Sequence, residues 1–283
     1  FQIDLNTSFT GEDSLDISLD AGNTSTDTLG ILEFDGNATG DALNVDGVSY
    51  TFPLGDSMTA IIGDNTDGSA LFTTACSYGG PTNTLDDCGN VNAGITNGGA
   101  MVGASYDFGT GFTAAVGYAA GDTDMATGLM SKETLDAYGV NAAYTGDNFG
   151  VSVTYGLVET SSIDEDTFTA FNGYYAPEGF PASISVGYEI GEDGSVTDKT
   201  ADELTSFFVG LQFDELGPGS AGIALGTKTP TVEKTDEQYM YEAYYSYPIN
   251  DGMTITPVVF VKETSTAGVD DETGVMVKTS FSF

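Results

Sequence analysis

The residues available for chemistry are overwhelmingly carboxylates: 43 Asp and Glu stand against six Lys, with no Arg and no His, for a formal net charge of −37. Without histidine there is no Ser-His-Asp or Cys-His arrangement and no imidazole-ligated zinc. Paired carboxylates can serve as acid and base, but among so many any pairing arises by chance, so no enzyme is indicated. No Gly-rich loop leads into a helix to cradle phosphate. The six scattered lysines, Lys132, Lys199, Lys228, Lys234, Lys262 and Lys278, cannot cluster on a phosphate backbone, which excludes nucleic acid as a partner. Carboxylates in this excess attract cations and repel one another. That calls for salt, bound divalent ions or a scaffold rigid enough to hold like charges together.

One long Gly, Asn and Asp-rich stretch, Asp64 to Gly98, concentrates the specific expectations. It holds Asp64, Asp67, Asp86 and Asp87 together with both cysteines of the chain, Cys76 and Cys88. A Cys76–Cys88 bridge would close a short loop and suit an oxidising compartment. In the chain-entropy model such a bridge stabilises by about 3 kcal/mol. Two free thiols are the alternative. Asp64 to Gly68 and Glu192 to Gly194 offer oxygen ligands for loosely bound Ca²⁺ or Mg²⁺, but neither completes an EF-hand and no specific metal set can be named. No cofactor is required.

The elements that position these groups read as all-β. Val151, Val153, Tyr155 and Leu157 alternate with Gly150, Ser152, Thr154 and Gly156. The same period of two recurs at Ala182 to Ile190 and at Phe207 to Phe213. No stretch approaches the roughly 18 apolar residues of a membrane-spanning helix. Alternation alone fits a soluble sandwich or a membrane barrel. Strands of about ten residues favour the barrel, as do aromatics at the ends of the greasy faces (Tyr106 and Phe108, Phe112 and Tyr118, Tyr138 and Tyr144).

Connection lengths also alternate. Short turns stand at Gly109–Gly111, Gly146–Asn148, Glu178–Phe180, Gly217–Gly219 and Asn250–Gly252. Longer acidic connections stand at Asp64–Gly98, Thr123–Thr134, Gly194–Leu204, Thr231–Glu237 and Thr266–Glu272, the asymmetry of short periplasmic turns and long outer loops. Counting back from the C-terminal end gives about 16 antiparallel strands, enough for an aqueous lumen. The count makes Asp64–Gly98 the third outer loop, following the fifth strand. If it folds inward, its four aspartates are the constriction; if outward, they are a solvated surface. Alternation places Asp4, Asp16, Asp20, Glu33, Asp35, Lys262 and Lys278 on the lumen side. The whole chain, residues 1–283, is expected to form one barrel domain.

Several segments resemble cyanobacterial outer-membrane porins, which are related to the carbohydrate-selective porin family: Leu5 to Asp13 with Leu19 to Asn23, Tyr50 to Asp56, and Glu242 to Asn250 with Ile255 to Pro257. The final Ser280 to Phe283 resembles the terminal-aromatic assembly signal of such barrels, with Phe283 as its last residue. The resemblance implies a homotrimer of sixteen-stranded barrels in the outer-membrane bilayer, each narrowed by an inward third loop. Many members also carry an amino-terminal module that grips wall polysaccharide, whereas this chain opens directly on the strand Phe1 to Phe9. It also lacks the Arg and Trp expected of a sugar-selective pore, so the carbohydrate label is not carried over. The expected function is passive diffusion of small hydrophilic solutes and ions through a cation-preferring porin. A non-transporting barrel serving as receptor or envelope protein, and a soluble salt-adapted β-sandwich adhesin, are the alternatives.

Overall fold

A computed structural model of the chain describes residues 2–22, 42–82, 85–95, 99–121, 130, 135–161, 163–196, 202–227, 231–232, 236–264, 268 and 270–282. Its strands are β1 (Gln2–Thr7), β2 (Ser14–Asp20), β3 (Asn44–Pro53), β4 (Met58–Asp64), β5 (Ala100–Asp107), β6 (Phe112–Ala120), β7 (Asp136–Thr145) and β8 (Phe149–Glu159). They continue as β9 (Glu165–Tyr175), β10 (Ser183–Glu192), β11 (Glu203–Leu216), β12 (Gly219–Thr227), β13 (Thr231–Val232), β14 (Tyr239–Asn250), β15 (Met253–Lys262) and β16 (Glu272–Phe281). All sixteen belong to one antiparallel sheet, in which each strand pairs with its neighbour in sequence; the two-residue β13 instead pairs the outer end of β11. One continuous sheet of this kind is a barrel wall and excludes the two-sheet sandwich. β1 and β16 are the ends of the strand order, and because β13 adds no crossing they run in the same direction.

The burial pattern is the reverse of a soluble sheet. On β10, Ser183, Ser185, Gly187, Glu189 and Gly191 are buried, while Ile184, Val186, Tyr188 and Ile190 are exposed. β7, β8 and β11 repeat the arrangement. A greasy face turned outward around the wall suits hydrocarbon, and the polar face turns toward the interior. Tyr106, Phe108, Phe112 and Tyr138 lie exposed at the rims, as the girdle pattern requires. Tyr118 departs from it: the residue is buried and its hydroxyl donates to Asp136 Oδ1 at 2.7 Å.

Connections alternate in length as expected. β5–β6, β7–β8, β11–β12 and β14–β15 are joined by tight turns. The 8–13 connection between β1 and β2 belongs to the same short end and is organised by Asp13. Its carboxylate accepts from the Ser8 hydroxyl (2.6 Å), the Thr10 hydroxyl (2.7 Å), the Thr10 backbone N–H (2.8 Å) and the Tyr50 hydroxyl (2.6 Å). Those hydrogen bonds, the Ser8 hydroxyl first, hold its pKa far below the usual carboxylate range.

One expectation about register is corrected. The 65–99 connection follows β4, not a fifth strand, and is the second long connection of the described wall. β2 pairs directly with β3 through Asp20↔Asn44, so among the described residues four strands precede the connection; Glu33 and Asp35 lie outside the described residues.

Candidate functional site

The 65–99 connection runs inside the barrel. A chain can lie against a wall only where its backbone groups find partners, and its outward leg does so at every second residue. The N–H of Thr73 donates to Asn141 Oδ1 on β7, that of Ala75 to Ser152 Oγ on β8 and that of Ser77 to Ser185 Oγ on β10, each at 2.9 Å. The Gly79 N–H reaches Gln212 Oε1 on β11 at 3.3 Å. At the tip, the Tyr78 hydroxyl donates to Glu242 Oε1 on β14 at 2.7 Å; burial first, then the Glu242 charge, pushes that phenol well above its ordinary pKa. An extended leg with alternate donors thus meets one inward polar side chain on one strand after another.

The returning leg is held as firmly. Asn172 on β9 donates from Nδ2 to the Cys88 carbonyl at 2.8 Å. Glu189 on β10 accepts from the Asn92 N–H (2.8 Å), Asn92 Nδ2 (2.9 Å) and the Ala93 N–H (2.9 Å). Close approach depends on wall glycines: a Cβ on Gly187 would collide with the Cys88 carbonyl, and one on Gly117 with that of Gly68. The Cys76–Cys88 disulfide, with Cα atoms 6.4 Å apart, ties the two legs together. Under the tip, Tyr78 and Leu85 pack with Phe208, Met240, Tyr244, Val258, Phe260 and Met276. The core therefore lies between loop and wall, and this part of the inner surface is apolar where the alternation pattern suggested water.

Three of the four constriction candidates come together. Asp67, Asp86 and Asp87 line one cavity of about 200 Å³, with Ser69, Phe72, Thr74, Asn90, Val91 and Gly94. Asp64 does not join them; it ends β4, pairing Ala100 and Val48. The Asp87 side chain keeps an exposed surface yet has protein packed around it. That confinement, with the charges of Asp86, Asp67 and Glu189 adding to it, pushes its pKa up to about 7. Confinement likewise raises Asp67. Among the described residues no lysine lines the cavity.

Asp4, Asp16 and Asp20 share one face of β1 and β2, where the Ser18 hydroxyl donates to Asp4 (2.8 Å) and the Ser14 hydroxyl to Asp16 (2.7 Å). Lys262 lies on the inward parity of β15, beside buried Phe260, and pairs with Glu272 at 3.6 Å. Lys278 shares the inward parity of β16 with buried Met276. Phe283 lies outside the described residues. Asn141, Ser152, Gln212, Glu189 and Glu242 were not singled out from the sequence; parity puts them inside, but nothing local says which loop they hold. Among the described residues no three His, Cys, Asp or Glu side chains converge on a common metal position.

An antiparallel barrel with a loop bound inside its lumen is the porin fold. A triple-substituted porin of Rhodopseudomonas blastica shares it at 13% identity and a TM-score of 0.59, with 100% of this chain and 89% of that chain covered. An anion-selective porin from Comamonas acidovorans shares it at 13% identity and a TM-score of 0.64, with 98% and 87% covered. No family model matches the sequence, and no curated protein matches it.

Proposed function

We propose that this chain is an outer-membrane porin giving passive diffusion to small hydrophilic solutes and inorganic ions, with a preference for cations. The observation that carries the reading is the cavity of Asp67, Asp86 and Asp87 on a loop bound inside the lumen, with no lysine among the described residues that line it. A unit charge ~4 Å from a carboxylate near a protein surface interacts by roughly 4 kcal/mol, so several carboxylates bias which ions pass. The Comamonas porin is anion-selective on the same fold; selection of sign therefore belongs to side chains and not to the barrel. The resemblance to cyanobacterial porins supports a homotrimer, and an outer-membrane location in such cells.

The test is the reversal potential of the purified protein in a planar bilayer under a KCl gradient. Stable conductance with cation preference is expected, weakening as salt shortens the Debye length below its ~8 Å physiological value. Combined Asp67→Asn, Asp86→Asn and Asp87→Asn should lower the preference, whereas Asp64→Asn should leave it unchanged. Absent conductance from inserted protein would make the chain a non-transporting barrel.

A further inference from the structure

We propose that the two edge strands of the wall, β1 and β16, are bridged by one further strand of the same polypeptide, which runs opposite to both and leads into β1. The inference rests on the wall standing in a bilayer, as in the reading above.

Strand direction carries it. Among the described residues β13 is two residues long and lies off the consecutive order, so fifteen of the sixteen strands cross the wall. Fifteen antiparallel crossings begin and end in the same direction. β1 starts at the end of the long connections, where Gln2 pairs Asp20, and β16 starts there too, where Glu272 pairs Lys262. Among the described residues no ladder pairs β1 with β16. Joined to each other they would form a parallel ladder in a wall that is otherwise antiparallel. One strand running from the short-turn end to the long-connection end is antiparallel to both, and it makes the number of crossings even, as in bacterial single-chain barrels.

Exposure is an independent observation. On central strands the inward positions are buried, as at Ser183, Ser185 and Glu189 of β10. All six residues of β1 are exposed, inward Asp4 and Asn6 together with outward Ile3 and Leu5. On β16 the outward Val275 is 73% exposed, against 48% for Val186 of β10 and 40% for Val209 of β11. A side chain flanked by a strand on one side only keeps the surface that a second neighbour would cover.

Hydrocarbon makes the bridge necessary. An edge strand turns part of its backbone N–H and C=O away from its single ladder, and in a bilayer no water is there to take those groups, which is why membrane sheets close. A tilted crossing takes about nine to eleven residues. Alternation would set apolar side chains toward lipid beside Ile3 and Val275, and small or polar ones toward the lumen beside Asp4 and Asn6. Supply from the same polypeptide follows from the connections. Consecutive crossings of this wall pair with their neighbours in sequence, and a strand opposite in direction to β1 ends where β1 begins, so a single outer connection joins the two.

The test needs no current, so it fails separately from the channel reading. In protein expressed from its complete gene and held in detergent, Ile3→Cys or Leu5→Cys is combined with Val275→Cys, Val277→Cys or Thr279→Cys, all on the outward parity of the two edges. Bridging within one chain by a thiol cross-linker of about 10 Å, two interstrand spacings, is expected in at least one pair, with none by direct oxidation. The six pairs cover the loss of any one variant to misfolding. Removing the polypeptide ahead of Phe1 should abolish the compact, SDS-resistant form of the unheated barrel. A direct disulfide would mean that β1 and β16 close on each other, and would overturn the proposal. So would an SDS-resistant barrel that begins at Phe1, which would move the bridge to a strand after Phe283, or cross-links between chains, which would assign it to a second copy. The expected cross-links without conductance would instead remove the channel reading and leave the bridging strand standing.

Discussion

The buried carboxylate of Glu189 on β10 is bound to Asn92 on the inner loop twice, accepting from its backbone N–H at 2.8 Å and from its Nδ2 at 2.9 Å. With the Ala93 N–H as a third donor, one wall residue anchors the returning leg. Glu189→Ala leaves two backbone donors without their acceptor, a penalty of ~1–3 kcal/mol each where water cannot replace it. The barrel should still assemble, since its wall ladders do not involve this side chain. Single-channel records should show a larger, noisier conductance, with Glu189→Gln intermediate; quiet wild-type currents from the alanine variant would refute the anchor.

Gly187 on the same strand is the point of closest approach to the loop. Gly187→Ala directs a methyl group at the Cys88 carbonyl, and overpacking of this kind costs ~1–3 kcal/mol. The loop should lift, raising conductance and the rate of loop cleavage by a Glu/Asp-specific protease. Unaltered cleavage kinetics would mean that the wall yields instead.

The Cys76–Cys88 bridge closes a separation of 12 residues, for which the chain-entropy model gives about 3 kcal/mol. This constraint acts on the loop and not on the wall ladders. Paired Cys76→Ser and Cys88→Ser substitutions should leave the thermal unfolding of the barrel nearly unchanged while increasing current noise. A large drop in barrel melting temperature would show that the loop is part of the cooperative unit.

Asp87 should make the channel pH-sensitive. Its pKa is raised from 3.8 to about 7, so between roughly pH 4 and 7 the unfolded loop gives up a proton that the folded loop keeps. The contribution to loop stability is therefore full below about pH 4 and lost as pH rises through 7. Cation preference runs the other way, rising across pH 6 to 8 as the carboxylate ionises. Reversal potentials over that range should shift in the wild type and flatten in Asp87→Asn; a parallel shift in both would assign the titration to another group.

Strand existence, facing and order were legible because a period of two survives in the residue string. Ile184, Val186, Tyr188 and Ile190 alternate with Ser183, Ser185, Gly187 and Glu189 whatever they pack against. Connection length was equally local, since Gly217 and Gly252 mark turns by themselves. The strand count before the inner loop was not, because the pairing of β2 with β3 is decided between strands.

By itself the sequence determined an alternating, aromatic-rimmed, acidic β chain with two cysteines in one stretch and no materials for histidine chemistry. Tertiary structure decided that this stretch turns inward, that Asp64 stays on the wall while Asp67, Asp86 and Asp87 share a cavity, and that Phe208 and Phe260 pack beneath the loop instead of facing water. The physical reason is the range of the interactions. Alternation is written two residues apart, whereas the loop's direction depends on hydrogen bonds such as Ser77 to Ser185 and Asn92 to Glu189, whose partners are about a hundred residues apart in the chain.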